Sequence, residues 1–325
     1  MAIPAAAGTF KTYEAIGNRE DLSDVIYNIA PTETPFMSMA GRSTATLRAH
    51  EWQTDTLASA AANVTAEGDD AAANTATPTV RVSNQCQILT KSVFVSGTQE
   101  AVNKAGRKSE MAYQVSKRSK ELKRDLEFAL TRNTGASAGA SGTGGQMAGV
   151  EAWLSSNKTT LGATTAGATT PGWSTTFAAA TDASVAGTLV ATAGLYTVIK
   201  EVWTSGGNPR IIMTGAFNKT KVSAFAGIAT LYKEVPGAQQ GVLTSGADVL
   251  VSDFGEHTVV PNRFNRDQTI LVLDFEYLAV AYLRPFTQLP IARTGDAIKR
   301  QLLVECTLEV RNEAASGKVT DLLTS

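Results

Sequence analysis

The chain has 325 residues, of which 43% are hydrophobic and 18% are charged, and its formal net charge at pH 7 is −1. The length is more than one compact domain needs and less than three need, and the near-neutral charge excludes a protein that binds nucleic acid through its overall charge. No apolar run approaches the ~18 residues that cross a bilayer, and residues 1–8 lack the basic and apolar regions of a secretory signal. We therefore expect a cytoplasmic protein with no membrane span.

The N-terminal region is predicted to be an arm with few structural anchors. Residues 1–20 are rich in Ala and Gly and are expected to be extended or mobile. A short helix is predicted over 21–30 and ends before Pro31, after which 31–39 should be extended, with apolar anchor points. The arm's large apolar residues that we single out are Leu22, Val25, Ile26, Ile29 and Phe36. Because they precede any local core, we expect them to be buried against another subunit.

Two strands, over 45–57 and 79–95, are predicted to form a long hairpin. In the second strand Val80, Val82, Cys86 and Ile88 alternate with polar residues. The connecting segment 58–78 has almost no large apolar residue and should be a flexible tip. An isolated two-stranded ribbon is barely stable in water, so we expect this hairpin to extend away from the body and to pack on a neighbouring subunit.

A long helix is predicted from about 98 to 131. Between 104 and 132 the sequence holds nine Lys or Arg and four Asp or Glu, an excess of five positive charges. This excess is compatible with a solvated helix face or with a face turned towards a polyanion. The apolar face predicted by the helical spacing comprises Met111, Val115, Leu122, Leu126, Ala129 and Leu130.

The remainder predicts an α+β domain that follows weakly structured segments. Residues 135–149 should be a loop, and 155–180 is a Thr, Ala and Gly-rich insertion anchored at most by Trp173. Helices are expected over 182–203 and 216–226. Strands are expected over 210–214, 249–252, 270–274, 278–283 and 301–311.

The sequence offers no positive case for catalysis, a metal or a cofactor. Gly317–Lys318 is followed by Val319 and so fails as a phosphate loop, and the glycine-rich run 139–149 does not have the dinucleotide-binding spacing. His50 and His257 belong to no metal-binding or nucleophile pattern. Cys86 and Cys306 are expected to be buried free thiols, although the sequence does not exclude a disulfide.

Four stretches together resemble one family, the major capsid proteins of tailed bacteriophages with the HK97-like fold. They are NREDLSDVIYNIAPTETPFMSMAGRSTATLRAHEWQTDTL (18–57), ELKRDLEFALTRN (121–133), GGQMAGVEAWL (144–154) and LVECTLEVRNEAASGKV (303–319). The resemblance implies an α+β capsid fold whose parts are an N-terminal arm (1–40), an extended E-loop hairpin (41–97), a peripheral P-domain with the spine helix and the insertion (98–181), an axial A-domain with a central sheet (182–285), and a return to the P-domain with a C-terminal tail (286–325).

The same resemblance implies a subunit that self-assembles, as pentamers and hexamers, into an icosahedral shell around double-stranded DNA. The protein would be made and assembled in the bacterial cytoplasm and would reside in the virion capsid. Portal protein and separate scaffolding or decoration proteins are the expected partners. Because the arm begins almost at once, the resemblance implies a separate scaffolding protein or none. Self-crosslinking relatives use a Lys of the E-loop; the tip 58–78 has none, although Lys91 lies nearer its base.

If the protein is a shell subunit, a specific role can be predicted for the basic helix. Its cationic side chains would face the packaged genome and lower repulsion without reading sequence; they are Lys117, Arg118, Lys120, Lys123 and Arg124. The alternative is pairing with an acidic patch of a neighbour, such as Asp69–Asp70. A tail or adhesin component is the competing function, but its usual internal repeats are missing, and a hydrolase with a dispersed active site is a third reading.

Overall fold

The computed structural model describes residues 31–70, 76–104, 106–160, 192–225 and 248–322. These residues form a mixed α+β structure with one four-stranded sheet, one six-stranded sheet and one two-stranded hairpin. The predicted helix over 21–30, most of the insertion over 155–180 and the start of the predicted helix over 182–203 lie outside the described residues. No helix in the described ranges is long and apolar enough to cross a membrane.

The four-stranded sheet joins segments from both ends of the chain. Its strands, in spatial order, are β1 (Gly41–Thr44), β10 (Leu278–Ile291), β11 (Ala297–Val310) and β4 (Gln87–Ser96). The strands β10 and β11 are longer than predicted, since β10 continues past Pro285 by shifting register between Tyr282 and Thr287. Bulges of this kind let a strand accommodate a proline, which cannot donate to the ladder.

The six-stranded sheet carries the second core. Its strands, in spatial order, are β5 (Lys158–Thr160), β12 (Gly317–Thr320), β9 (Ile270–Leu273), β6 (Ile211–Thr214), β8 (Gly255–Pro261) and β7 (Val249–Ser252). The helix α5 (Thr192–Thr204) packs on one face of this sheet, and α6 (Ala216–Ser223) lies beside it. Every residue of β9 is buried, because Ile270 and Val272 face α5 while Leu271 and Leu273 face the other core.

Strand pairing differs from the expected division of the chain. The boundary expected at 285/286 falls inside β10, and β12, expected in the peripheral return, completes the six-stranded sheet instead. The strands β1 and β4, expected in the hairpin, belong to the four-stranded sheet. These pairings join residues distant in sequence, which local patterns do not reveal, and the division into domains stays a prediction.

The hairpin consists of β2 (Ala49–Thr54) and β3 (Val80–Gln85). The single strand predicted over 79–95 is interrupted at Cys86, whose N–H donates to the carbonyl of Arg48 at 2.7 Å. Alternation changes phase there: Val82 is buried, whereas Ile88 is 52% exposed and Val93 is buried. The expectation that Ile88 shares the buried face of Val82 is therefore wrong, because the extra residue turns the next strand over.

The long helix predicted over 98–131 is two helices, α2 (Gly97–Ala101) and α3 (Glu110–Thr131). The break has a local cause, since Ser96 and Ser109 each cap the helix that follows by accepting a backbone N–H at 3.2 Å. Glu100 adds a second cap to α3 by accepting from the N–H of Glu110 at 3.0 Å. The predicted apolar face of α3 is confirmed, with Met111, Leu122, Leu126 and Leu130 buried and with Val115 and Ala129 partly buried and packed against the core.

The segment 135–149 after α3 is the loop that was expected, and its last residues are buried. Ser137 pairs with Gln146 in a small turn, but the chain is buried from Met147 through the short helix α4 (Val150–Trp153). A Cβ added to Gly149 would lie 2.0 Å from the carbonyl oxygen of Arg132. Glycine at this position therefore lets the two backbones approach closely.

Both cysteines are buried free thiols, as the sequence predicts. Burial raises the pKa of Cys86 to about 11 and that of Cys306 to about 12. A thiol with so high a pKa is protonated at neutral pH and is a poor nucleophile.

Candidate functional site

In the described part of the chain, no three His, Cys, Asp or Glu residues are grouped so that they could hold a metal ion. The buried His257 is bonded on both sides: Nδ1 lies 2.5 Å from the carbonyl oxygen of Pro209, and Nε2 lies 2.7 Å from Ser252 Oγ. Since the carbonyl can only accept, Nδ1 carries the proton and Nε2 accepts from the serine. Burial lowers the pKa of His257. These two hydrogen bonds connect β8 to the end of β7 and to the segment before β6, which gives the ring a structural role.

The functional features of the chain are surfaces, and the first is the junction of the arm. The segment expected to be extended contains α1 (Pro35–Met39). Phe36, expected to lie against another subunit, is 0% exposed within its own chain, and its ring centroid lies 5.3 Å from that of Phe275. That expectation is corrected for Phe36, because α1 turns the ring into the core. The other four predicted arm contacts, Leu22, Val25, Ile26 and Ile29, lie outside the described residues.

Glu127 of α3 attaches α1 to the body. Its carboxylate accepts from the N–H groups of Phe36 and Met37, each at 2.8 Å, and from Asn262 Nδ2 at 2.7 Å. Thr34, the N-cap of α1, provides no side-chain hydrogen bond, so Glu127 satisfies two N–H groups that the helix start leaves open. Burial raises the pKa of Glu127, and these three hydrogen bonds oppose the shift. The sequence alone does not single out Glu127, and the available signal is a carboxylate beside the apolar stripe of α3.

The second surface is the hairpin, whose base packs on the body and whose described tip residues are exposed. Trp52 Nε1 donates to the carbonyl of Val310 at 2.9 Å, and its ring lies 5.5 Å from that of Trp153. Asn84 Nδ2 donates to the carbonyls of Leu308 at 2.8 Å and Ala148 at 3.2 Å. The hairpin strands therefore pack on their own subunit, which corrects the expectation that they extend away from the body.

The tip itself behaves as predicted. All described residues of 55–70 and 76–79 are exposed, including Leu57 at 98% and Val64 at 88%. Four carboxylates occur between β2 and β3 and no Lys or Arg does; they are Asp55, Glu67, Asp69 and Asp70. This acidic segment exposes Leu57 and Val64, which are not covered by the described residues of their own chain.

A charged cluster fixes the hairpin base to β11. His50 Nε2 lies 3.3 Å from Glu309 Oε2, and Arg311 Nε donates to Glu309 Oε1 at 2.9 Å. The hydrogen bond with His50, followed by that with Arg311, lowers the pKa of Glu309 to about 2 despite its partial burial. His50 thus has a structural partner, which agrees with its lack of any catalytic pattern.

The third surface is the basic face of α3. Of its five predicted cations, Arg118 donates to Glu121 at 2.6 Å, and the Arg124 guanidinium carbon lies 5.6 Å from the centre of the Phe264 ring. Asp125, the other acid in the cluster, pairs with Lys91 at 2.7 Å. The remaining three cations are exposed, and none is within salt-bridge distance of a carboxylate in the described ranges; they are Lys117, Lys120 and Lys123.

Solved structures that share this architecture are capsid proteins. A chain of the Cyanophage A-1(L) capsid asymmetric unit matches with a TM-score of 0.69 over 97% of this chain and 99% of that chain, at 14% identity. The capsid of a native GTA particle gives 0.61 over 99% and 100%, at 14% identity. A structure of phage G major capsid and decoration proteins gives 0.54 over 99% and 100%, at 10% identity. The fold is therefore that of HK97-like capsid proteins, and the predicted fold class is confirmed.

The sequence also places the chain in a family. The model of the SU10 major capsid protein family matches residues 6–323, and the chain belongs to that family. The major capsid protein of Escherichia phage Phieco32 is 40% identical over 122 residues, which are 37% of this chain and 35% of that relative. The matched segment thus spans only about a third of that curated relative, while the family match extends over almost all of this chain.

Proposed function

We propose that this protein is a structural subunit, and not an enzyme, of the icosahedral shell that encloses the double-stranded DNA of a tailed bacteriophage. The observation that carries the proposal is the exposed hairpin tip on a chain that belongs to a capsid family along nearly its whole length. A free, acidic segment with exposed Leu57 and Val64 costs solvation energy unless a neighbour covers it. A tail or adhesin role gains no comparable support.

The proposed subunit has four working parts. Residues 1–40 act as the arm, and the hairpin within 41–97 acts as the E-loop. The P-domain is built on α3 and the four-stranded sheet, and the A-domain is built on the six-stranded sheet. We infer that Leu22, Val25, Ile26 and Ile29 of the arm contact neighbouring subunits.

The proposed partners follow from this role. Copies of the chain form pentamers and hexamers, and the shell also needs a portal protein and accepts scaffolding or decoration proteins. Decoration proteins accompany the major capsid proteins in the phage G structure. Assembly takes place in the bacterial cytoplasm, the product is the virion capsid, and the role needs no cofactor, metal or membrane.

The shell proposal is tested by expressing the full chain and imaging the product by negative stain. Closed shells, pentamers or hexamers support the proposal. Fibres or tubes would favour the tail or adhesin function, and small particles with no assembly at any concentration would remove the basis for a shell subunit.

The basic face of α3 is proposed to line the inner wall next to DNA. Its support is the unpaired state of Lys117, Lys120 and Lys123 among the described residues, because three exposed like charges repel unless an anion lies nearby. Replacing these three with Gln should leave empty shells intact and lower the thermal stability of DNA-filled particles. Failure of the empty shells themselves would mean that these residues join subunits, and the genome-facing assignment would be dropped.

A further inference from the structure

A groove along α3 is lined by both cationic and hydroxyl-bearing side chains. It encloses about 160 Å³ and is walled on one side by Thr32, which precedes α1. Tyr113, Lys117, Lys120 and Arg124 lie at intervals of four, three and four residues, so their side chains project from one face of the helix. Ser116 adds a hydroxyl to the same lining.

The groove keeps a net positive charge after the ion pairs of its lining residues are taken into account. Its single acid, Glu121, is bonded to Arg118 at 2.6 Å and so is neutralised from outside the groove. Lys117 and Lys120 lack a carboxylate partner within the described residues. Three cationic groups, together with the hydroxyl groups of Thr32, Tyr113 and Ser116, therefore border a space large enough for a small oxyanion.

Arg124 carries a second, independent sign of a missing ligand. Its guanidinium is oriented by packing over the ring of Phe264, at 5.6 Å. Its Nε is buried and has no hydrogen-bond partner in the part of the chain that the structure describes. A buried donor without an acceptor is uncommon in folded proteins, so this guanidinium is not fully paired within the described residues.

We propose that this groove is a phosphate-binding site, in which Lys117, Lys120 and Arg124 hold one phosphate group and Tyr113 and Ser116 donate to its oxygens. Arginine and lysine form short, charge-assisted hydrogen bonds with phosphate oxygens, and arginine does so in a fixed planar geometry. The phosphate comes from the DNA backbone or from free inorganic phosphate. Only the DNA source rests on the proposed genome-facing role of α3; the site itself does not.

Lys123 provides the matched control. It is an exposed lysine on the same helix but lines a different groove, between α3 and the β10–β11 pair. Lys123→Gln removes the same charge as Lys117→Gln or Lys120→Gln and leaves the phosphate groove unchanged. A site-specific effect and a general effect of positive charge are thus separable.

The first experiment measures the thermal unfolding midpoint of the full chain against inorganic phosphate concentration, with chloride at matched ionic strength as the reference. Phosphate should raise the midpoint more than chloride does. Lys117→Gln and Lys120→Gln should each weaken the apparent phosphate affinity about tenfold or more, the usual effect of losing one charged hydrogen bond, and Lys123→Gln should change it less than threefold. Arg124→Lys keeps the charge, loses the planar fork and should also weaken binding.

The second experiment measures binding of a short DNA duplex to the same variants. Binding of both phosphate and duplex, each weakened by the groove substitutions, assigns the site to backbone phosphates; binding of phosphate alone assigns it to the free ion. Equal effects of Lys117→Gln and Lys123→Gln on the binding of inorganic phosphate, or no advantage of phosphate over chloride, overturn the site. Shell formation is scored separately by imaging, so that a failed phosphate site with intact shells leaves the proposed function standing.

Discussion

Buried carboxylates connect distant segments of this chain, and they are its most informative single residues. Glu127 binds the start of α1, 91 residues away in sequence. Glu151 accepts from Arg266 at 3.1 Å and from Thr269 at 2.9 Å. Glu313 accepts from the N–H groups of Ser155 and Ser156, each at 2.6 Å. Each carboxylate accepts hydrogen bonds from buried or partly buried donors, so the loss of one should be costly.

Replacement of Glu127 by Ala should therefore destabilise the unassembled subunit. Three donors lose their acceptor, and we expect a loss of about 2–4 kcal/mol in the free energy of unfolding, measured with urea. Glu121→Ala is the control on the same helix; it breaks only a partly exposed pair with Arg118 and should cost under about 1 kcal/mol. Equal effects of the two substitutions would show that Glu127 does not hold the arm.

The Glu309 cluster predicts acid sensitivity. A carboxyl whose folded-state pKa is depressed contributes stability that is complete above its ordinary value and is lost as pH falls through the folded value. For Glu309 the window runs from about 4.5 down to about 2. As the pH is lowered through this range, the urea midpoint of unfolding should decrease in the wild type and should decrease less steeply in Glu309→Gln. His50→Ala removes the main cause of the lowered pKa of Glu309, so the pH range over which stability is lost should end at a higher pH. Glu51→Gln, which breaks an exposed pair with Arg81, should leave the pH dependence of stability unchanged.

At the scale of elements, the sequence predicted periodic features well and interruptions poorly. The apolar face of α3 was predictable because Leu122, Leu126 and Leu130 repeat with the helix itself. The break before α3 was visible in principle, since Ser96 and Ser109 are good N-cap residues, but charged residues with high helix propensity between them favoured a continuous helix. The hairpin strands were predictable, whereas the change of phase at Cys86 depends on a bond to Arg48 that no local pattern contains.

The candidate surfaces divide in the same way. The acidic tip and the basic helix face are properties of composition, so both were predictable. Which of the cations have partners was not predictable, because Arg118, Arg124 and Lys91 find their partners by three-dimensional packing. Phe36 was misassigned for a related reason: a short helix and a distant carboxylate turn it into its own core.

The close approach after α3 supplies a prediction for an element rather than for a charge. Gly149→Ala would place its Cβ 2.0 Å from the carbonyl oxygen of Arg132, so the backbone must shift. We expect a loss of about 2–4 kcal/mol, at the upper end for overpacked sites, in the free energy of unfolding. Gly144→Ala, where a Cβ meets nothing within 4 Å, should lie within about 0.5 kcal/mol of wild type. If Gly149→Ala were equally mild, the two segments would not be in contact.

For the whole molecule, the exposed hairpin tip is expected to matter for assembly and to contribute little to the folding of the subunit. Replacing residues 58–78 by a two-residue turn removes a segment whose described residues, 58–70 and 76–78, are all exposed. The shortened chain should keep its circular dichroism spectrum and should unfold within about 1 kcal/mol of wild type, but it should not form closed shells. Normal shells from this variant, seen by electron microscopy, would exclude the tip from subunit contacts.

The order of the strands also bears on how the protein is made. The strand β11 lies between β10 and β4, and β12 lies between β5 and β9, so each sheet receives an interior strand from residues 297–320. A chain emerging from the ribosome therefore cannot close either sheet until these late residues have been synthesised. A prematurely terminated product that lacks them has two incomplete sheets and no assembled subunit body. We therefore expect unfinished chains to expose unpaired strand edges and to be excluded from a shell.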